Sequence, residues 1–247
     1  MNQQMEPARR TPLSRDRVLV AAVALADEVG IESLSMRRLA QELGVVPMAL
    51  YKHVANKEEL LDGMVDALVR EIDPPARDAD WKNTVRLRVL SARRALLRHP
   101  WARQVLESRT NRTPAVLEYM DSFIGMFLAG GFSVDLTHHV MHALGSRMWG
   151  FTQELFDDSA SQNAEGPAAL PPEAQAAMFQ EMAERYPNIF KVATVSAHDD
   201  DSVVGQGCDD QFEFEFALDL LLDGFERLHQ QNWTSKHAKQ DHGQAGT

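Results

Sequence analysis

Apolar residues return every three or four positions along nearly the whole chain, the period of helices with one buried face. The strict alternation of a half-buried strand is missing. The pattern predicts an all-α protein. Ser14 is placed to cap a first helix, with Asp16 in its first turn, a stripe of Val18, Ala22, Leu25, Ala26 and Val29, and Gly30 as its stop. A short helix follows from about Ser35 to Leu43 and turns Leu39, Ala40 and Leu43 inward; Gly44 breaks it. A second short helix starts near Pro47, a residue suited to a first turn, and ends near His53. Asn56 then caps a longer helix whose stripe runs Leu60, Leu61, Met64, Val65, Leu68 and Ile72, until Pro74-Pro75 ends it.

Beyond Trp81, punctuation by Pro100, Pro114, Gly130-Gly131 and Pro171-Pro172 predicts helices at about 81–98, 101–109, 113–129, 133–156, 171–186 and 208–231. The stretches 157–170 and 196–207 are small, polar and acidic, and read as surface loops. The expected organisation is a flexible arm (1–12), a helix-turn-helix head (13–58), a linking helix (59–74), a helical body (75–232) and a disordered tail (233–247).

Charge changes this picture in one respect. The net charge of −11 argues against a nucleic-acid partner, yet residues 1–60 hold eight basic and eight acidic side chains, so the acidic excess lies in the body. Contact with an anionic polymer therefore belongs to the head. One cysteine, Cys208, excludes an intrachain disulfide and fits a reducing compartment. No apolar run approaches the roughly 18–20 residues of a membrane span. The opening MNQQMEPARRTPLSR has no apolar segment of the secretory kind. A cytoplasmic protein without membrane contact is expected.

Two short helices joined by a tight turn form a helix-turn-helix. Leu39, Ala40, Val45 and Leu50 pack inward, Ala40 being small where the helices cross, and the outer side of the second helix is left free to enter a major groove. That outer side carries Pro47, Met48, Ala49, Tyr51, Lys52 and His53; Arg37 and Lys57 flank it. Tyr51 and His53 can donate to phosphate oxygens, Lys52 and Lys57 bring positive charge, and Arg37 can reach a guanine edge or a phosphate. The stretch Pro47-Met48-Ala49 has little hydrogen-bonding capacity, so sequence choice is expected to rest on thymine methyls, on Arg37 and Lys52, and on DNA shape.

At these residues the chain resembles the TetR family of bacterial regulators. The likeness lies in S-x-R-x-L-A-x-x-L-G-V at Ser35–Val45, L-Y-K-H-V at Leu50–Val54 and N-K-x-x-L-L at Asn56–Leu61. It implies a homodimer on a palindromic double-stranded operator, with Arg37 and the 47–49 segment near bases and Tyr51, His53 and Lys57 on phosphates. Arg9 and Arg10 are candidates for minor-groove or backbone contacts. The body resembles the tetracycline-repressor branch through HPWARQVLESR (His99–Arg109), AGGFSVD (Ala129–Asp135) and FEFALDLLLDGFERL (Phe214–Leu228).

The last helix is apolar on several sides, which calls for burial on several sides. The chain's own core is one source of that burial; the other, which fits better, is pairing with helix 133–156 in a four-helix dimer bundle, with Leu136, Val140, Leu144, Phe214, Leu218, Leu221 and Phe225 expected at the interface. A core rich in Met and aromatics suits a pocket for a small effector, lined by Trp101, Val105, Met120, Phe123, Phe127, Met148, Trp149 and Met178. Glu107 stands where tetracycline-responsive members carry a magnesium-binding histidine and Phe123 where they carry a polar drug contact, although Glu154 matches their acidic position. The effector is therefore expected to be apolar or aromatic rather than a tetracycline–magnesium chelate.

His138 and His142 have metal-ligand spacing on one helix face, but with no further ligand assigned to them neither a metal site nor a cofactor is expected. The chain has no Ser-His-Asp signature, Gly-rich phosphate loop or HExxH, so an enzyme is not expected. The reading is a bacterial repressor, nucleoid-associated when DNA-bound and released by its effector. The alternatives are an activator of the same fold, or a nucleoid or protein-interaction factor.

Overall fold

The computed structural model describes residues 12–77, 79–109, 111–150, 171–195 and 210–236. Among these residues there are eleven α-helices and no strand. The chain forms two compact units, residues 1–142 with 226–247, and residues 143–225.

The first unit opens with α1 (Arg15–Val29), a single 3-10 turn (Ile31–Ser33), α2 (Met36–Glu42), α3 (Pro47–Leu50) and α4 (Lys57–Arg70). Each start is a local event. The hydroxyls of Ser14 and Ser35 accept from the backbone N–H groups of Arg17 and Arg38, both at 3.2 Å. Asn56 Oδ1 accepts from Glu59 N at 2.8 Å while Glu59 returns a carboxylate oxygen to Ala55 N at 2.7 Å, a reciprocal cap. The buried stripes Val18–Ala22–Leu25–Ala26 of α1, Leu39–Ala40 of α2, Leu50 of α3 and Leu60–Met64–Val65–Leu68 of α4 share one core. Trp101, Ala102 and Val105 join that same core, so the head and the adjoining helices of the body are packed as one piece.

The unit continues with α5 (Trp81–Arg98), α6 (Ala102–Ser108), α7 (Pro114–Ala129) and the first part of α8 (Val134–Gly150). Asp80 and Thr113 cap α5 and α7. The segment after α4 is stitched to α5. Asp73 N donates to Ser91 Oγ at 2.9 Å, and the Asp73 carboxylate accepts from Ser91 and from Arg94, each at 2.8 Å. An aromatic cluster closes the far end. Phe132 meets Trp81 edge-on at 4.6 Å and stacks on His229 at 4.4 Å, with Phe127 between them.

The second unit holds α9 (Pro172–Arg185), α10 (Pro187–Val195) and most of α11 (Asp210–Gln230). Phe179 of α9 and Phe190 of α10 meet edge-on at 6.4 Å. Two elements were not expected from the pattern, α10 and the turn Ile31–Ser33. Residues 233–236, expected in a disordered tail, are held in place. Ser235 donates from its backbone N–H and its hydroxyl to Asp135 at 2.7 and 2.8 Å, and Trp233 packs edge-on against His139. The expected loops 157–170 and 196–207, and the arm with Arg9 and Arg10, lie outside the described residues.

Candidate functional site

The reading motif is built on a buried floor. Leu39, Ala40, Leu50 and Val54 are at most 1% exposed, and the turn between α2 and α3 closes with Val45 N donating to Ala40 O at 2.9 Å. Above that floor Arg37, Pro47, Met48, Tyr51 and Lys52 are exposed, while Ala49 and His53 are half-buried. α3 itself ends at Leu50; Tyr51–His53 form a turn carried by His53 N and Val54 N on the Leu50 carbonyl. Lys57 is exposed along its length, but its ammonium donates to Leu34 O at 2.9 Å. It thus ties the start of α4 to the entry of α2 and keeps two further protons for other acceptors. Val46, 69% exposed beside Met48 at 71%, extends the outer face and was not anticipated. Its signal was its place one residue before Pro47, at the helix cap, where no side chain turns inward.

Behind the reader lies a charged junction. The His99 ring, at the α5–α6 corner, has Nδ1 at 2.8 and 3.0 Å from the Asp27 carboxylate of α1, and Nε2 at 3.1 Å from Glu71 at the end of α4. Each ring nitrogen faces a carboxylate, so the imidazole bridges α1 and the end of α4. Trp101 Nε1 donates to the same Asp27 at 2.6 Å, and Arg98 pairs with Glu71. Farther along α4, Arg109 pairs with Glu58 and approaches Asp62 at 3.3 Å. Both ends of α4 are therefore tied to α6 or its flanks.

The expected effector residues are placed differently from the sequence reading. Trp101 and Val105 belong to the head core, and Phe123 and Phe127 to the aromatic cluster, all between 0% and 5% exposed and packed against neighbours. Met120 is half-buried and takes a long contact from Arg112, and Met178 is half-buried on α9. The side chains of Met148 and Trp149, and all of Glu154, lie outside the described residues. Of the described six, only Trp101 borders either of two open spaces. Space opens instead between α4, α5 and α7, in a cavity of about 360 Å³ walled by Val69, Pro114 and Ala115 and bearing Asp66, Arg70, Arg88, Glu118 and Tyr119. A second cleft of about 350 Å³ lies beside Asp27, Gly30 and Trp101.

Arg88 is the unusual member of the first cavity. It is 8% exposed, donates from Nη1 to the Asp73 carbonyl at 2.6 Å, and lies over the Tyr119 ring at 4.9 Å. Its Nε and the Asp66 Oδ1 are buried without a hydrogen-bond partner. Burial lowers the Arg88 pKa from its ordinary value, against the opposing pull of Tyr119 and Asp73. Burial raises that of Tyr119, opposed by Arg88, so the phenol stays neutral. Sequence reasoning passed over Arg88 because one cation on a long helix is usually a solvated face. Its signal was its register with buried Val85, Val89 and Ala92.

The expected dimer residues lie as follows in the single chain. Leu136, Val140, Leu144, Phe214, Leu218 and Phe225 are between 0% and 7% exposed within the single chain, and Leu221 is half-buried. The outward apolar positions are offset from them: Phe212, Phe216 and Leu220 along α11, and Val134, 77% exposed, on α8. His138 and His142 share the outer side of α8 with ring centroids 4.7 Å apart. Asp135, one turn before His138, is engaged by Ser235, and no cluster of three metal-binding side chains occurs among the described residues.

Comparison with known proteins adds the following. The family model described as bacterial regulatory proteins, tetR family, matches residues 18–64, and the one described as tetracyclin repressor-like, C-terminal domain, matches residues 74–229. The chain is 32% identical over 221 residues to a Streptomyces coeruleorubidus protein named HTH-type transcriptional repressor DrrR1, covering 87% of this chain and 78% of that one. It is 28% identical over 221 residues to the tetracycline repressor protein class G of Vibrio anguillarum, covering 88% and 96%. Among solved structures, the Streptomyces coelicolor TetR family protein ActR in complex with actinorhodin matches with TM-score 0.62 and 25% identity, over 88% of this chain and 98% of that one.

Proposed function

Because the chain belongs to the TetR family of bacterial regulatory proteins, we propose that it acts as a homodimer on a palindromic operator and leaves that operator when a small molecule occupies the body. As a member of the family it is a ligand-responsive DNA-binding repressor and not an enzyme. No described helix is long and apolar enough to cross a membrane. The observation that carries the reading is the outer face Arg37–Met48–Tyr51–Lys52, held clear of solvent-shielded Leu39, Ala40 and Leu50 by a tight turn.

In a twofold dimer two such faces meet successive major grooves about 34–36 Å apart. Phe216 and Leu220, 53% and 57% exposed on α11, support the dimer, since apolar side chains in register on one helix face gain most by being covered. The rod between reader and cavity is α4. Its first residue holds Leu34 O, its far half lines the cavity through Asp66 and Val69, and Glu71 at its end reaches His99. A ligand that shifts α4 therefore changes the spacing of the heads, by as much as its affinity differs between the two states. Selection of genomic fragments on purified protein tests this. One short inverted repeat, protected by a dimer, is the expected result; scattered sites without symmetry, or a monomer on DNA, would overturn it.

A further inference from the structure

We infer that the effector seats between α4, α5 and α7 as a hydroxylated aromatic acid, its anionic oxygen on the Arg88 guanidinium and its hydroxyl group donating to Asp66. This rests on the ligand-responsive reading above and names the ligand class for it. Two orphaned atoms of opposite need stand on the wall of one cavity: Arg88 Nε–H has no acceptor and Asp66 Oδ1 has no donor. Native interiors rarely leave such groups unpaired, and each has an obvious supplier in a ligand that carries an acceptor beside a donor. The second cleft shows no orphaned atom among its lining residues.

The remaining surface sets the rest of the molecule. Val69, Pro114 and Ala115 give an apolar wall, and a volume of about 360 Å³ suits two or three fused rings. A purely apolar ligand would seal both orphaned atoms further from water and bind about ten- to a hundredfold more weakly for each. Arg88 gains a charge-assisted bond from an acid, and a planar fork favours a carboxylate or an ionised phenol–carbonyl pair over a neutral group. The aromatic part of the expected ligand is retained, and its polar anchors are added.

The test uses the full chain with an operator duplex. Titration calorimetry reads binding of a hydroxynaphthoate whose hydroxyl is not ortho to the acid, the matching naphthoate without the hydroxyl, and the matching naphthol without the acid; fluorescence anisotropy reads release of the duplex. The hydroxynaphthoate is expected to bind and release DNA, with each stripped compound at least about tenfold weaker. Arg88→Met should abolish the preference for the acid, and Asp66→Ala should abolish the preference for the hydroxyl while leaving that for the acid. Failure of the hydroxynaphthoate to bind, equal binding of all three compounds, or preferences that survive both substitutions overturns the inference. In those cases a duplex still bound without ligand leaves the regulator reading standing; a chain that binds no duplex at all overturns that reading instead.

Discussion

Gly44 and Gly130 show two different reasons for a missing Cβ. Gly44 turns the chain between α2 and α3 at φ +66° with nothing within 4 Å of an added Cβ. Gly44→Ala therefore costs only left-handed strain, about 1–2 kcal/mol, read as a lower urea midpoint. Gly130 has an ordinary φ, but a Cβ there would stand 2.7 and 2.8 Å from Cβ and Cγ of Trp81. Gly130→Ala is expected to cost about 1–3 kcal/mol and, unlike Gly44→Ala, to alter near-ultraviolet circular dichroism by displacing Trp81. On the reading face, Arg37→Ala should weaken operator binding by about 1–3 kcal/mol and relax specificity, measured on a panel of single-base operator variants. Unchanged affinity and selectivity would remove Arg37 from the readers.

At the scale of elements, one imidazole bridges α1 and the end of α4 at the α5–α6 corner. His99→Ala would leave the Asp27 and Glu71 carboxylates facing an empty site. Both are about one-third exposed, which softens the loss to about 2 kcal/mol, below that of a fully buried pair. The substitution should also weaken the response of operator affinity to effector, since it removes the bridge between the end of α4 and the α5–α6 corner. The link between α8 and the C-terminal residues is acid-sensitive. Hydrogen bonds from Ser235 N and then Ser235 Oγ, helped by His139 and His138, hold Asp135 below the usual carboxylate range. A depressed carboxylate contributes above its unfolded value and is lost as pH falls through its folded one. Protection of residues 233–236 from hydrogen exchange should therefore hold near neutrality and fade in acid, and Asp135→Asn should remove it at every pH.

The elements themselves were legible where their causes are local. Ser14, Ser35 and Asn56 cap within three residues of themselves, and Pro114 and Gly130 bound α7. Helix α10 was not among the helices expected after 171–186; Pro187 is its first residue, a position that suits proline.

For the molecule as a whole, the apolar residues of α8 and α11 divide between the chain's own core and its surface, a division that periodicity alone does not make. Leu218 and Leu222 are fully buried, and Phe216 and Leu220, on the opposite side, are not. Phe216→Glu with Leu220→Glu is therefore expected to give folded monomers by light scattering, with operator affinity lower by at least about a hundredfold, because two linked heads bind far more tightly than one. Leu218→Glu should unfold the chain instead. A double variant that stays dimeric would place the interface elsewhere.

The reading head follows from residues close together in sequence: caps, stripes, a glycine turn and an outward polar face are settled within a few positions of each other, so Ser35–Lys57 declares itself. The cavity and the junction do not. Asp66 and Arg88 come from separate helices, and Asp27 and His99 meet across 72 positions of chain. Only packing brings such groups together, and only packing tells which apolar side chains the protomer has already covered.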